Sequence, residues 1–195
     1  MDDIRDELHA LEHEFGLPAW EILDTINRRN RCKIAVRGAI AEAHLIRHLR
    51  RLEEAGYIQG FEDFDRDAYP DCRVDYDGRS FFVECKNVQK QKRQRGETEP
   101  VTIDFKRTRN PMANPEARYY GPEEFEIVAA CLWNRTRQWV FRFAVTADLP
   151  RHPQYPDRIL DIVTVDVAES PIWTANLAIL LSRLAQERPT QAPVE

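Results

Sequence analysis

The chain has 195 residues, 43% of them hydrophobic and 31% charged, with a formal net charge of -5. That length suits one domain with a real core, and the composition excludes a disordered chain. The net negative charge excludes a protein that is uniformly basic toward nucleic acid.

The opening segment "DDIRDELHALEHEF" places Ile4, Leu8, Leu11 and Phe15 at helical spacing. Gly16-Leu17-Pro18 ends it, and "AWEILDTINRRN" predicts a second helix. A third, long helix is expected over "AVRGAIAEAHLIRHLRRLEEAG", with Gly56 as its stop. One stripe of it carries Gly38, Glu42, Leu45, Leu49 and Leu52. Glu42 is therefore expected at the buried edge of an apolar face, where an unpaired carboxylate is expensive. A Glu at a stripe margin that pairs or reaches solvent is the plainer alternative.

"YIQGFEDFDRDAY" predicts a short strand and an acidic loop. "PDCRVDYDGRSFFVECKN" then reads as a hairpin, because Asp77-Gly78 between two strand-like runs is a strong turn signal. Counting outward from that turn sets Cys72 opposite Val83 and Asp71 opposite Glu84. Lys86 shares the face of Glu84, since strand side chains alternate. Asp71, Glu84 and Lys86 are thus expected to converge, with Asp75 further down the ladder. Two neighbouring carboxylates suit a divalent cation, and Mg²⁺ takes one or two while keeping waters. An ordinary surface ladder of ion pairs competes with this, but the apolar run "SFFV" argues for a partly buried strand.

After a polar loop, "VTIDFKRTR" predicts a strand, and "NPMANPEARYYGPEE" is irregular. "FEIVAACLW" has the continuous apolar character of a central strand. "QWVFRFAVTADL" and "DIVTVDV" follow as strands, with Trp133, Trp139, Phe141 and Phe143 expected in the sheet core. "SPIWTANLAILLSRLAQER" predicts a closing helix with Ser170 as N-cap and Pro171 at its first position. The expected fold is α/β, bordering on α+β: a mixed sheet flanked by helices. Residues 1–188 are expected to form one domain, with a helical extension over 1–30, a core over 36–145 and a frayed tail over 189–195.

Charge is unevenly placed. From Lys86 to Arg109 there are eight Lys/Arg against Glu97, Glu99 and Asp104. Lys90, Lys92, Arg93, Lys106, Arg107 and Arg109 are candidate phosphate contacts, which would position a nucleic acid without reading its sequence. The four cysteines show no metal-binding spacing and are expected to fill the core. His9/His13 and His44/His48 have i, i+4 spacing but no third ligand. The charged N-terminus offers no secretory signal, no apolar run is long enough to span a bilayer, and a reducing cytoplasm is expected.

The Pro70-Asp71 pair, the short hairpin and Glu84-Cys85-Lys86, preceded by a helix carrying Glu42, resemble the signature of the PD-(D/E)XK nuclease superfamily. Those motifs span roughly residues 36 to 87, and strand order extends the likeness to about 145. The resemblance implies a restriction-endonuclease-like fold and a Mg²⁺-dependent nuclease, with Mn²⁺ as a substitute. It implies that Asp71 and Glu84 ligate the metal, that the Cys85 backbone carbonyl completes its coordination, and that Lys86 acts on the water or the scissile phosphate. Glu42 would assist at the metal. DNA is the implied substrate, with RNA open and homodimerisation compatible. The chain departs from the family in showing no clear crossover helix between residues 88 and 123. A binding module that keeps the fold but does no chemistry is the rival expectation.

Overall fold

A computed structural model describes residues 9–66, 69–90, 99–107 and 114–187. The chain divides into two compact units, Met1–Ile40 and Ala41–Glu195. The first contains α1 (Ala10–Phe15), α2 (Ala19–Arg28) and the beginning of α3 (Asn30–Glu54). His9 caps α1, its Nδ1 accepting from the Leu11 N–H while Glu12 reaches back to the His9 N–H. Gly16 closes the helix at φ 60°, a left-handed conformation that glycine adopts freely. The third helix starts earlier than its apolar pattern suggests, at Asn30 rather than near Ala35.

The second unit is built on a five-stranded mixed sheet. Its strands are β1 (Gly60–Asp63), β2 (Cys72–Tyr76), β3 (Arg79–Asn87), β5 (Ile127–Cys131) and β6 (Phe141–Val145), in the order β1-β2-β3-β5-β6. Strand β3 is central, antiparallel to β2 and parallel to β5. Every residue of β5 is buried, as its unbroken apolar run predicts.

Helix α3 from Ala41 onward and α5 (Leu177–Glu187) cover one face of this sheet. Ala41, Leu45, Leu49, Leu177, Leu181 and Leu184 pack there against Val74, Phe81, Val83, Ile127 and Phe143. The other face is covered by a second, two-stranded sheet of β4 (Val101–Asp104) and β7 (Ile162–Val165). Val101, Ile103, Val163 and Val165 bury against Val128, Ala130 and Ala144. The link from β3 to the parallel β5 therefore carries a strand; among the described residues it contains a 3-10 turn at Pro115–Arg118 but no α-helix. The β4–β7 pair occupies the layer that a crossover helix would fill.

The closing helix begins six residues later than expected, at Leu177 rather than Pro171. The Ser170 hydroxyl does accept from the Trp173 N–H at 3.1 Å, but Trp173 is buried and its indole donates to the Thr164 carbonyl. That tertiary anchor holds the segment in a turn. Asn176 is the real cap, its Oδ1 accepting from Ala178 and Ile179, and α5 starts at Leu177. Phe141 and Phe143 are core residues, whereas Trp133 and Trp139 are half-buried and stack on each other beside α4 (Trp133–Thr136). No helix of the described residues is long and apolar enough to cross a membrane.

Candidate active site

The hairpin forms as counted. Asp77 and Gly78 both take positive φ, 50° and 70°, as the two central residues of a type I′ turn require. The pairs Tyr76–Arg79, Asp75–Ser80, Val74–Phe81, Arg73–Phe82 and Cys72–Val83 follow. Phe81, Val83 and Cys85 point to the helical face. Phe82, Glu84 and Lys86 point to the β4–β7 face, as do Val128 and Ala130, the β5 partners of Glu84 and Lys86.

Asp71 lies one residue before β2 and is held twice. Its carbonyl accepts from the Phe64 N–H at 2.9 Å, extending the β1–β2 ladder by one step. Its carboxylate Oδ2 accepts from the Cys85 N–H at 2.6 Å. Tyr69 packs edge-on against Phe64 at 5.0 Å and Phe82 at 6.0 Å, and Phe64 is tilted against Phe82 at 6.4 Å, which steadies the approach to Asp71. Asp75, by contrast, accepts from the Ser80 hydroxyl at 2.6 Å and pairs with Arg73 at 3.2 Å.

Glu84 is only 4% exposed, and the Lys86 ammonium donates to its Oε1. Burial, the largest single influence, would pull the Lys86 amine below its usual range, but the Glu84 charge and hydrogen bond, with Tyr120 and Asp71, together hold it above that range. Lys86 is therefore a fixed cation at neutral pH. Burial pushes the Asp71 carboxyl up to about 7, and the nearby Glu84 charge adds to this, against the pull of Lys86 and the Cys85 hydrogen bond. The Glu42 carboxyl is also pushed up, first by partial desolvation and then by Glu84 and Asp65, with Lys86 opposing.

Glu42 itself is exposed, which corrects the expectation of a buried edge. The buried stripe of α3 runs through Ala41, Leu45 and Leu49, one position away. Glu42 acts on the cluster through charge, with no hydrogen bond to it among the described residues. Three carboxylates thus bear on one lysine. Their mutual repulsion fits a site for a divalent cation, and two carboxylates with water suit Mg²⁺. No cage of three or more His, Cys, Asp or Glu side chains exists among the described residues.

Sequence patterns missed Tyr120. Its hydroxyl lies 3.4 Å from the Lys86 Nζ, and the ammonium sits 5.1 Å from its ring centroid. Arg107 covers the same ring at 4.6 Å and pairs with Glu124. Phe105 and Phe125 pack edge-on against Tyr120, and its carbonyl accepts from the Ile159 N–H. The irregular segment around "RYYGPEE" thus carries a rigidly seated aromatic residue, and the Tyr-Tyr pair was its only sequence signal.

The basic candidates fare differently. Lys106 pairs with Asp161 at 3.3 Å and with Asp104 at 3.7 Å, and Arg107 is engaged as described. Lys90 is exposed. Lys92, Arg93 and Arg109 lie outside the described residues. His44 stacks on Trp139 at 4.5 Å and His48 packs on Phe143 at 5.7 Å, so the His44/His48 pair is not arranged as a chelate. Cys72, Cys85 and Cys131 are buried free thiols.

No family model matches the chain, and no curated protein is similar to it at a significant level. Among solved structures it is similar to a bacterial homing endonuclease, I-Ssp6803I, at 18% sequence identity. The match covers 80% of this chain and 98% of that one, with a TM-score of 0.50. At that identity the likeness establishes a shared fold: a mixed sheet flanked by helices, of endonuclease-like type.

Proposed function

We propose that the chain is a Mg²⁺-dependent nuclease of the PD-(D/E)XK kind, hydrolysing phosphodiester bonds in DNA as an endonuclease. The observation that carries this is the convergence of Asp71, Glu84 and Lys86 on the central strand pair, with Asp71 fixed by the Cys85 amide and Lys86 held against Glu84 and Tyr120. Asp71 and Glu84, with the Cys85 carbonyl, are the groups to hold the metal, and Glu42 supports it from α3. When bound, Mg²⁺ supplies Lewis-acid polarisation of the phosphate and a more acidic water. Lys86, a permanent cation, donates a hydrogen bond to the attacking water or to the phosphate oxygens and offsets the charge that builds on them. Water oxygen bonds to phosphorus and loses a proton to solvent, the ester P–O bond breaks, and the leaving oxygen takes up a proton from solvent to depart as the alcohol.

The fold shared with a homing endonuclease agrees with DNA as substrate. The direct test is incubation with plasmid, linear, single-stranded and branched DNA and with RNA, each with and without Mg²⁺. Metal-dependent cleavage of a DNA form, lost in Glu84→Ala and Lys86→Ala, is expected. Cleavage that persists undiminished in either variant overturns the proposal.

A further inference from the structure

The first unit contains no buried residue among 9–40. Eight of the thirteen large exposed apolar side chains of the described residues fall between Leu11 and Ile40. Trp20 is 68% exposed and Leu23 64%, and Phe15, Ile34 and Ile40 are also open. A segment of this size cannot bury a core by itself, and such a concentration of exposed apolar surface marks an interaction site.

The charge pattern of the same segment says what covers it. Residues 9–26 contain Glu12, Glu14, Glu21 and Asp24 and no Lys or Arg. Residues 27–40 contain Arg28, Arg29, Arg31, Lys33 and Arg37 and no Asp or Glu. Asp24 pairs with Arg28 within α2. Among the described residues, Glu14, Glu21, Arg29, Arg31 and Lys33 have no ionic partner. An acidic half followed by a basic half, with apolar side chains in both, is self-complementary under a two-fold rotation. The acidic half of one copy then meets the basic half of the other, twice. A partner of one sign would match only half of the surface. A segment of about 30 residues is also the size of one side of a standard stable interface.

We infer that residues 9–40 form the homodimer interface of this protein, an isologous contact of α1, α2 and the start of α3 with the same elements of a second copy. This inference stands on the N-terminal unit alone and does not depend on the nuclease reading.

Sedimentation equilibrium of the full chain tests it. A mass of twice 22.9 kDa is expected, falling to the single-chain mass in Trp20→Glu/Leu23→Glu, whose sites are already exposed. Two charge reversals give a readout that misfolding cannot mimic. Glu14→Lys/Glu21→Lys and Arg29→Glu/Arg31→Glu are each expected to be monomeric alone and to form a heterodimer when mixed. A monomeric wild type at all concentrations overturns the inference. So does a dimer that survives the Trp20/Leu23 substitutions, or a pair of charge variants that do not associate on mixing. A wild type that stays monomeric but binds DNA or lipid vesicles through this segment also overturns it, and assigns the surface to that partner.

Discussion

The Asp71 carboxylate accepts a 2.6 Å hydrogen bond from the backbone N–H of Cys85, the residue between Glu84 and Lys86. One side chain before β2 is thereby tied to the backbone between Glu84 and Lys86 of β3. Burial and the Glu84 charge raise its carboxyl to about 7, well above the ordinary carboxylate range of about 4. The native protein then holds a proton, between roughly pH 4 and 7, that the unfolded chain has released. Stability of the metal-free protein is expected to fall as pH rises through that window and to level off above it. Asp71→Asn keeps an acceptor for the Cys85 N–H and removes the charge. It is expected to flatten this slope and to be more stable than wild type at pH 8 by about 1–3 kcal/mol, part of the full shift because the coupling to Glu84 is shared. Urea titrations at pH 5 and pH 8 read the difference directly. Added Mg²⁺ is expected to stabilise the wild type more at pH 8 than at pH 5, because the proposed ligand is the ionised carboxylate.

Glu84 and Lys86 are a buried pair, so removing either does two things at once. Lys86→Ala leaves the nearly buried Glu84 carboxylate uncompensated, which typically costs about 3–5 kcal/mol. Glu84→Gln keeps the shape and is expected to cost less. Both are expected to lower metal-dependent cleavage at least about a hundredfold, the usual scale for loss of a charge-stabilising group at a reacting centre. The informative comparison adds Mg²⁺ in the metal-free thermal melt. Glu84→Gln is expected to lose the Mg²⁺-induced rise in Tm, whereas Lys86→Met is expected to retain it. If both keep it, Glu84 is not a ligand.

The proposed role of Tyr120 is to position Lys86. Its hydroxyl and ring both lie against the ammonium, and Arg107, Phe105 and Phe125 pack on the ring. If Glu84 turns to a metal, Tyr120 is the contact that remains to hold the lysine. Tyr120→Phe removes a long hydrogen bond to a charged group, and about a tenfold loss in kcat is expected with KM unchanged. Tyr120→Ala also removes the platform under Arg107 and is expected to lose more in kcat and to melt lower. Equal loss in both variants would show that the hydroxyl alone matters; no loss in either would remove Tyr120 from the site.

The site was legible where local rules decide geometry. Asp77-Gly78 demands positive φ at both positions, and once the turn is two residues long the register of β2 and β3 follows. Glu84 and Lys86 fall on one face for the same reason. What escaped is decided by tertiary contact. Tyr120 stands 34 residues from Lys86 in the chain, in a segment with no periodicity to read. Ser170-Pro171 has the chemistry of a helix start, yet the pull of buried Trp173 toward Thr164 overrides it. The second sheet was invisible because β4 and β7 each look like members of a single meander. Their antiparallel pairing, Val101 with Val165 through Asp104 with Ile162, joins segments some 60 residues apart. Glu42 was placed on the stripe of Leu45 and Leu49; both leucines are buried, but Ala41 and not Glu42 completes their stripe in the folded helix.

The basic residues near the site separate into two kinds by what they touch. Lys106 is anchored to Asp104 and Asp161, and Arg107 to Glu124 and the Tyr120 ring, so their first role is to brace the β4–β7 layer against the active-site loop. Lys90 is exposed just beyond the end of β3 and makes no ion pair among the described residues. Lys90→Ala is expected to weaken DNA binding without changing the Tm. It should also reduce the slope of log K against log salt by about 0.9, the release of one phosphate counterion on duplex DNA. Lys106→Ala is expected to do the reverse: a salt slope within error of wild type, and a Tm lowered through loss of a half-buried ion pair bridging β4 to Asp161. Fluorescence anisotropy with a catalytically silent Glu84→Gln background, measured across a salt series, separates the two. A lowered slope in Lys106→Ala with no change in Tm would return that residue to the DNA-contacting set.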